Sequence, residues 1–350
     1  MQSISKIHVD LTEELKNIIN KDDQYTIPVF IPHLGCNNEC VFCNQRKISG
    51  NTKIKNLEKI REDIDSYIKF FDRNKKIQIA FFGGSFTGIP IIQQIKYLKL
   101  ANEYVKNGQV DSIRISTRPD YITIPIVKML KRYKVKTIEL GVQSMDELVL
   151  KSSKRGHTAL DVIKAAAIIN LLNVELGFQI MIGLPNSNLK SEIMTITKLL
   201  KFKPKQLRIY PVYVLEKSQL FDMYLQNKYQ PLTLEDASNR ASEVIKVCKN
   251  SNVQIIRIGL QSTEEIAASN YKIIGPVSDN FAEYALSKIV LEKLEKEVLN
   301  IKYVDSVDNE KQKIEMYVDK KYISIVVGPK KINKNYLQDK YNIIISVKGE

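Results

Sequence analysis

The sequence predicts an α/β protein, a partial or complete parallel (β/α) barrel of about six units with a small C-terminal α+β extension. Short apolar, β-branched runs alternate with longer amphipathic stretches from about residue 25 to about residue 275. The runs are apolar enough to be covered on both faces, as parallel strands are. Chemistry-bearing motifs follow those runs directly, at the strand ends where a β/α barrel gathers its chemistry.

Residues 1–24 read as a separate N-terminal segment; MQSISKIHVDLTEELKN lacks the apolar core of a secretory signal. The barrel domain, 25–275, begins with the strand TIPVFIP, the loop GCNNECVFC and the amphipathic helix LEKIREDIDSYIKFF. KIQIAFFGG is a strand ending in glycine, and IPIIQQIKYLKLANEYVKN is a helix. The alternation recurs as SIRISTRPD and PIVKMLKRY, then KTIELGVQS and ALDVIKAAAIINLL, then VELGFQIMIGLP and LKSEIMTITKLLKF. QLRIYPVYVL leads into TLEDASNRASEVIKVCKN, and VQIIRIGLQ returns to a strand. The pattern changes over 276–350. There the charged helix FAEYALSKIVLEKLEKEVL precedes the β-branched runs IKYVDSV, KIEMYVD, YISIVVG and NIIISVKG, a small separate α+β unit.

The 350 residues are 44% hydrophobic and 26% charged, ordinary globular composition. No apolar run approaches the roughly 20 residues of a membrane span, so a cytoplasmic protein without membrane contact is expected. A net charge of +14 would attract phosphates or nucleic acid, although Lys, Ile and Asn are abundant throughout. The basic clusters KMLKRYKVK and KFKPKQLR fit solvated faces as well as phosphate contacts.

Four cysteines are too few for a disulfide scaffold, yet Cys36, Cys40 and Cys43 fall within eight residues. A structural zinc site needs four closed ligands. Cys248 lies far away in a helical pattern and reads as a buried small apolar side chain. His33 precedes the loop and could complete a zinc site. Three neighbouring thiolates could instead hold three irons of a [4Fe–4S] cluster and leave the fourth open to a substrate or cofactor.

Cys36-Asn-Asn-Glu-Cys40-Val-Phe-Cys43, with the aromatic Phe42 before the last cysteine, resembles the signature of the radical S-adenosylmethionine superfamily. The likeness runs over about residues 25–261. It implies that the three cysteines hold a [4Fe–4S] cluster whose open iron chelates S-adenosylmethionine. One electron, from an external donor, then cleaves a carbon–sulfur bond to give methionine and a 5′-deoxyadenosyl radical. It also implies that Phe42, Gly83, Gly84, Ser116, Thr117, Arg118, Gln143 and Gly183 line the cofactor. All but Phe42 also have a local reading. The glycines are turns, residues 116–118 a strand terminus stopped by Pro119, and Gln143 a partner for buried backbone.

TRPDYI, LGVQS, KRGHT, GLPN, RIYPVYV and KYQPLT resemble the radical domain of the Elongator catalytic subunits, which modify the wobble uridine of transfer RNA. In KRGHT, Thr158 with Asp161 also makes a helix-capping box. Elongator's subunit has a longer gap between its first two cysteines, and about 75 residues after Gly275 are too few for its acetyltransferase domain. The resemblance thus implies a radical enzyme acting on RNA, most specifically transfer RNA. A radical enzyme acting on a small metabolite is the alternative. Porphyrin-precursor oxidases of the superfamily usually carry a further cysteine just after the triplet, where Asn44-Gln45 has none. A non-catalytic, cluster-containing RNA-binding protein is the third reading. Lys154 and Arg155, then Arg46 and Lys47, are the expected phosphate contacts, and GPKKINK in the tail is faintly like an RNA-binding turn. The sequence identifies neither catalytic residues nor oligomeric state.

Overall fold

Apolar residues at every second position draw seven strands into one sheet, in a computed structural model that describes residues 4–18, 24–31, 35–36, 39–43, 56–260, 272–302 and 311–350. Strand β1 (Ile4–His8) and helix α1 (Thr12–Leu15) come first. The barrel then runs β2 (Gln24–Ile31), α2 (Leu57–Phe70), β3 (Lys76–Gly83), α3 (Ile91–Lys106), β4 (Ser112–Thr117), α4 (Ile124–Arg132) and β5 (Val135–Gln143). It continues α5 (Glu147–Ser152), α6 (Ala159–Leu171), β6 (Glu175–Ile182), α7 (Leu189–Leu200) and β7 (Gln206–Pro211). A short strand β8 (Val214–Leu215), α8 (Gln219–Leu225), α9 (Leu234–Cys248) and β9 (Gln254–Ile258) complete it.

The sheet order is β2-β3-β4-β5-β6-β7-β9, every pair parallel. Consecutive parallel neighbours joined by helical crossovers curl a sheet into a barrel wall. Its edge strands β2 and β9 do not pair with each other, so this is a partial barrel, with the six expected units and the return strand. Cross-strand partners such as Ile79–Ile113, Ile138–Leu176 and Leu207–Ile255 put the aliphatic residues on one outer face beneath the helices. On α2 that packing is a stripe of Ile60, Ile64 and Ile68 four residues apart, entered through an Asn56 cap. The Thr158–Asp161 capping box is present at the start of α6.

Beyond the barrel come β10 (Ile273–Ile274), which pairs with β8, and the long helix α10 (Phe281–Lys302). They are followed by β11 (Gln312–Val318), α11 (Ile323–Val327), α12 (Ile332–Tyr341) and β12 (Ile343–Gly349). Three features differ from the sequence reading. Ile301 and Lys302 of the run IKYVDSV close α10, and the rest of that run lies outside the described residues. The segment 1–24 is not apart from the tail, because β1 pairs in parallel with β11, giving a three-stranded sheet β1-β11-β12. YISIVVG is helical, because Ile325 and Val326 are buried while Ser324 is exposed, so its packing surface is a helix face that overrides β propensity. One continuous apolar core runs from the barrel through α9 and α10 into this sheet. Among the described residues no helix is long and apolar enough to cross a membrane.

Candidate active site

The cysteine loop leaves the C-terminal end of β2 and is held against the turn after β3, backbone on backbone. A Cβ on Gly88 would stand 2.0 Å from the Gly35 carbonyl oxygen, and one on Gly35 2.3 Å from that of Ser85. Only glycines allow that approach, and it brings the Cys36 sulfur 3.3 Å from the Ser85 hydroxyl. Farther along, the Val41 N–H donates to the Ser153 carbonyl and the Leu220 N–H to that of Val41. Arg155, expected as a surface phosphate contact, is instead buried. Its Nη1 donates to the Cys40 sulfur at 3.1 Å, its Nη2 to the Gly141 carbonyl at 2.6 Å, and its guanidinium lies 6.0 Å from the Phe42 ring. The neighbouring Lys154 is exposed and donates to Gln219. Arg46, Lys47, His33, Asn44 and Gln45 lie outside the described residues.

The other expected residues gather at the same strand ends. Gly83 ends β3 at φ +108°, where a Cβ would meet the Ile31 carbonyl oxygen at 2.3 Å; Gly84 follows it. Ser116 donates to Glu139 at 2.8 Å, and the Thr117 hydroxyl is 2.6 Å from that of Thr87. Arg118 forms a two-pronged pair with Asp120. Burial opposes that guanidinium's charge, but Asp120 outweighs it and holds the group above its ordinary value. Gln143, at φ 68° beyond an irregularity in the β5–β6 register, accepts from Gln179. Gly183 is tied on both sides, its N–H to the buried Glu192 and its carbonyl to the Tyr229 hydroxyl. Burial raises the Glu192 carboxyl, against the stabilising contacts of Gly183 and Arg240. His157 packs on the Val142 carbonyl through Nε2, and burial, then Arg155 and Arg118, push its imidazole down to about 3.

The inner face of the sheet holds residues that the sequence reading passed over. The register aligns Arg114, Glu139, Gln179 and Arg208 there, with Phe82 and Tyr210. Arg208 sits 3.0 Å from Glu139, and its guanidinium and that of Arg114 lie 4.7 and 5.2 Å from the Phe82 ring. Burial opposes the charge of Arg208, but Glu139 and Tyr210 outweigh it and hold the group above its ordinary value. Burial, then the like charge of Arg208, pushes Arg114 down to about 10, still cationic at neutral pH. Arg208 belongs to the cluster KFKPKQLR, whose solvated-face reading fails at this residue. The available signal was polar residues alternating with Ile in RIS, TIEL and LRIY.

Among the described residues no three thiols, imidazoles or carboxylates are drawn into one metal-binding group. The fit to a cluster with its cofactor rests on the donor set, three thiols of one short loop, and on orphaned polar atoms beside it. Nε of Arg155 and Nδ1 of His157 are buried without hydrogen-bond partners, as is Nε of Arg114 in the lumen. Such atoms cost about 1–3 kcal/mol each and point to a polar guest. Cys248 is buried in α9, and burial pushes its thiol up to about 12, away from ligand duty.

A family model described as Radical SAM superfamily matches residues 30–199, and one described as Radical SAM C-terminal domain matches residues 204–290. The chain is 26% identical over 182 residues to a tRNA uridine(34) acetyltransferase of Methanocaldococcus jannaschii, covering 46% of this chain and 34% of that protein. It is 29% identical over 225 residues to an uncharacterized protein of the same organism, covering 61% and 68%. The structure of Elp3 from Methanocaldococcus infernus with an N-terminal deletion shares the fold at a TM-score of 0.61 and 22% identity, covering 79% of this chain and 64% of that one. The chain thus spans about a third of the length of the first acetyltransferase it matches.

Proposed function

Because the chain belongs to the radical S-adenosylmethionine superfamily, an enzyme that uses a [4Fe–4S] cluster and S-adenosylmethionine, we propose that its substrate is RNA, and specifically transfer RNA. In this reading Cys36, Cys40 and Cys43 hold the cluster, while Phe42, Gly83, Gly84, Ser116, Thr117, Arg118, Gln143 and Gly183 line the cofactor. When bound, the two groups supply a one-electron cleavage of a carbon–sulfur bond and a carbon radical that takes hydrogen from substrate. Ser85 and Arg155 keep Cys36 and Cys40 in place, and the buried, neutral His157 fixes the backbone at Val142.

The observation that carries the substrate reading is the inner face. Phe82 and Tyr210 offer rings, Glu139 and Gln179 offer hydrogen-bonding edges, and of the two cations there Arg208 pairs with Glu139 while Arg114 donates to Gln206. An enzyme acting on a base takes it out of its stack and reads its edge in such a pocket. The relatives named for uridine 34 of transfer RNA point to the same class of guest. This reading puts the enzyme in the cytoplasm with an external one-electron donor. Anaerobically reconstituted, reduced protein should convert S-adenosylmethionine to 5′-deoxyadenosine slowly alone and several-fold faster with transfer RNA, whose nucleosides then change in mass. Acceleration by a small metabolite, with transfer RNA silent, would replace RNA by that metabolite.

A further inference from the structure

We propose that the loop Gly328-Pro329-Lys330-Lys331 is a second RNA contact, outside the barrel, that grips the phosphate backbone of the substrate RNA; it rests on the RNA reading above. The loop joins α11 to α12, and these two helices join the adjacent parallel strands β11 and β12. Charge is its first qualification. Residues 320–338 contain five lysines and no aspartate or glutamate. Lys321 pairs with Asp319, but Lys320, Lys330, Lys331 and Lys334 have no ion-pair partner among the described residues.

Shape is the second. Gly328 sits at φ 74°, and a Cβ there would lie 2.7 Å from Ile332 and 3.0 Å from the Asn333 nitrogen, so the loop is folded hard onto the start of α12. Asn333, 1% exposed, donates from Nδ2 to the Ser287 and Ile325 carbonyls and ties that corner to α10 and α11. Lys330 and Lys331 are consecutive residues in the left-handed region, φ 55° and 61°, and both are exposed. Glycine or asparagine takes that conformation more easily. Lysine also takes positive φ at Lys134, Lys154, Lys203 and Lys217, but only here do two stand side by side, exposed and with no acidic partner among the described residues. A polyanion lying across the loop would pair with both. K-homology modules clamp RNA backbone with a glycine-bounded loop of this length; here the first glycine is Gly328 and Lys331 stands at the position of the second.

The test uses the full-length reconstituted protein with two probes, a transfer-RNA transcript and single-stranded oligouridylate, titrated over salt. Lys330→Glu with Lys331→Glu should weaken both about tenfold or more and lower the salt slope by about 1.4, two phosphates of single-stranded RNA. Iron content and RNA-independent cofactor cleavage should not change. Lys330→Gly with Lys331→Gly removes the charge while relieving the backbone. A purely structural role predicts a raised Tm with binding intact, whereas the proposal predicts a Tm at least as high with binding several-fold weaker. Wild-type binding that survives both pairs of substitutions overturns the loop and leaves the RNA reading standing. Failure of wild-type protein to bind transfer RNA sinks that reading instead, and the loop then stands only if oligouridylate is bound and released by both variants.

Discussion

On β5, Ile138 and Leu140 are fully buried under the helices, whereas the intervening Glu139 faces Ser116 and Arg208 across the lumen. One strand thus supplies two surfaces of opposite chemistry. Outside, each buried aliphatic side chain stabilises the fold by about 1.5–3 kcal/mol. Inside, a buried ion pair is roughly neutral against apolar residues of the same volume, and the orphaned Nε of Arg114 weakens the fold. The outer face holds the protein together. On the proposed reading the inner face is kept for the substrate.

The cysteine loop at the strand ends gives the widest separation of the two roles. Cys40→Ala should remove bound iron and bring cofactor cleavage below detection, and should destabilise the metal-free protein by about 1–3 kcal/mol, since the buried Arg155 Nη1 loses its acceptor. Cys248→Ala, beneath the outer face, should keep iron and cleavage and lower stability by about 1 kcal/mol. Iron analysis, 5′-deoxyadenosine formation and thermal melting measure all of this; full iron in the Cys40 variant would remove that residue from the ligand set.

Neighbours on β5 sharpen the contrast. Ile138→Ala should lower stability by about 2–5 kcal/mol and leave RNA-dependent turnover of the folded fraction intact. Glu139→Gln should destabilise by about 1–3 kcal/mol, since Arg208 loses its carboxylate, and should abolish RNA-dependent acceleration while basal cofactor cleavage persists. Unchanged acceleration in the Glu139 variant would show that the inner face is not the substrate's.

The smallest effect concerns His157, which lies behind both faces. Its folded value of about 3 is below the ordinary 6.5. Within that window the unfolded chain binds a proton that the folded chain does not, so stability falls as pH falls, by up to roughly 1.4 kcal/mol per unit. Urea unfolding at pH 7 and pH 5 should show a flatter dependence for His157→Gln. Equal slopes in the two proteins would mean that the imidazole protonates freely in the fold.

Much of this architecture is determined by the sequence itself. Alternating aliphatic runs specify parallel strands, Thr158 with Asp161 starts α6, and the spacing of Cys36, Cys40 and Cys43 puts three thiols in one loop. These features act over a few residues, within the range of backbone propensity and side-chain periodicity. Contacts between distant segments were decided only by the tertiary structure. Arg155 reaches Cys40 across 115 positions because the α5–α6 turn is hydrogen-bonded to Val41. Arg208 meets Glu139 because the β5–β6–β7 register sets them on one face, and β1 joins β11 from the far end of the chain. YISIVVG carries a strand's composition, yet Ile325 and Val326 are buried on one face of a helix. Register and packing are collective properties of the folded chain, so a buried charge, its partner and a run that changes its secondary structure appear only once the sheet is assembled.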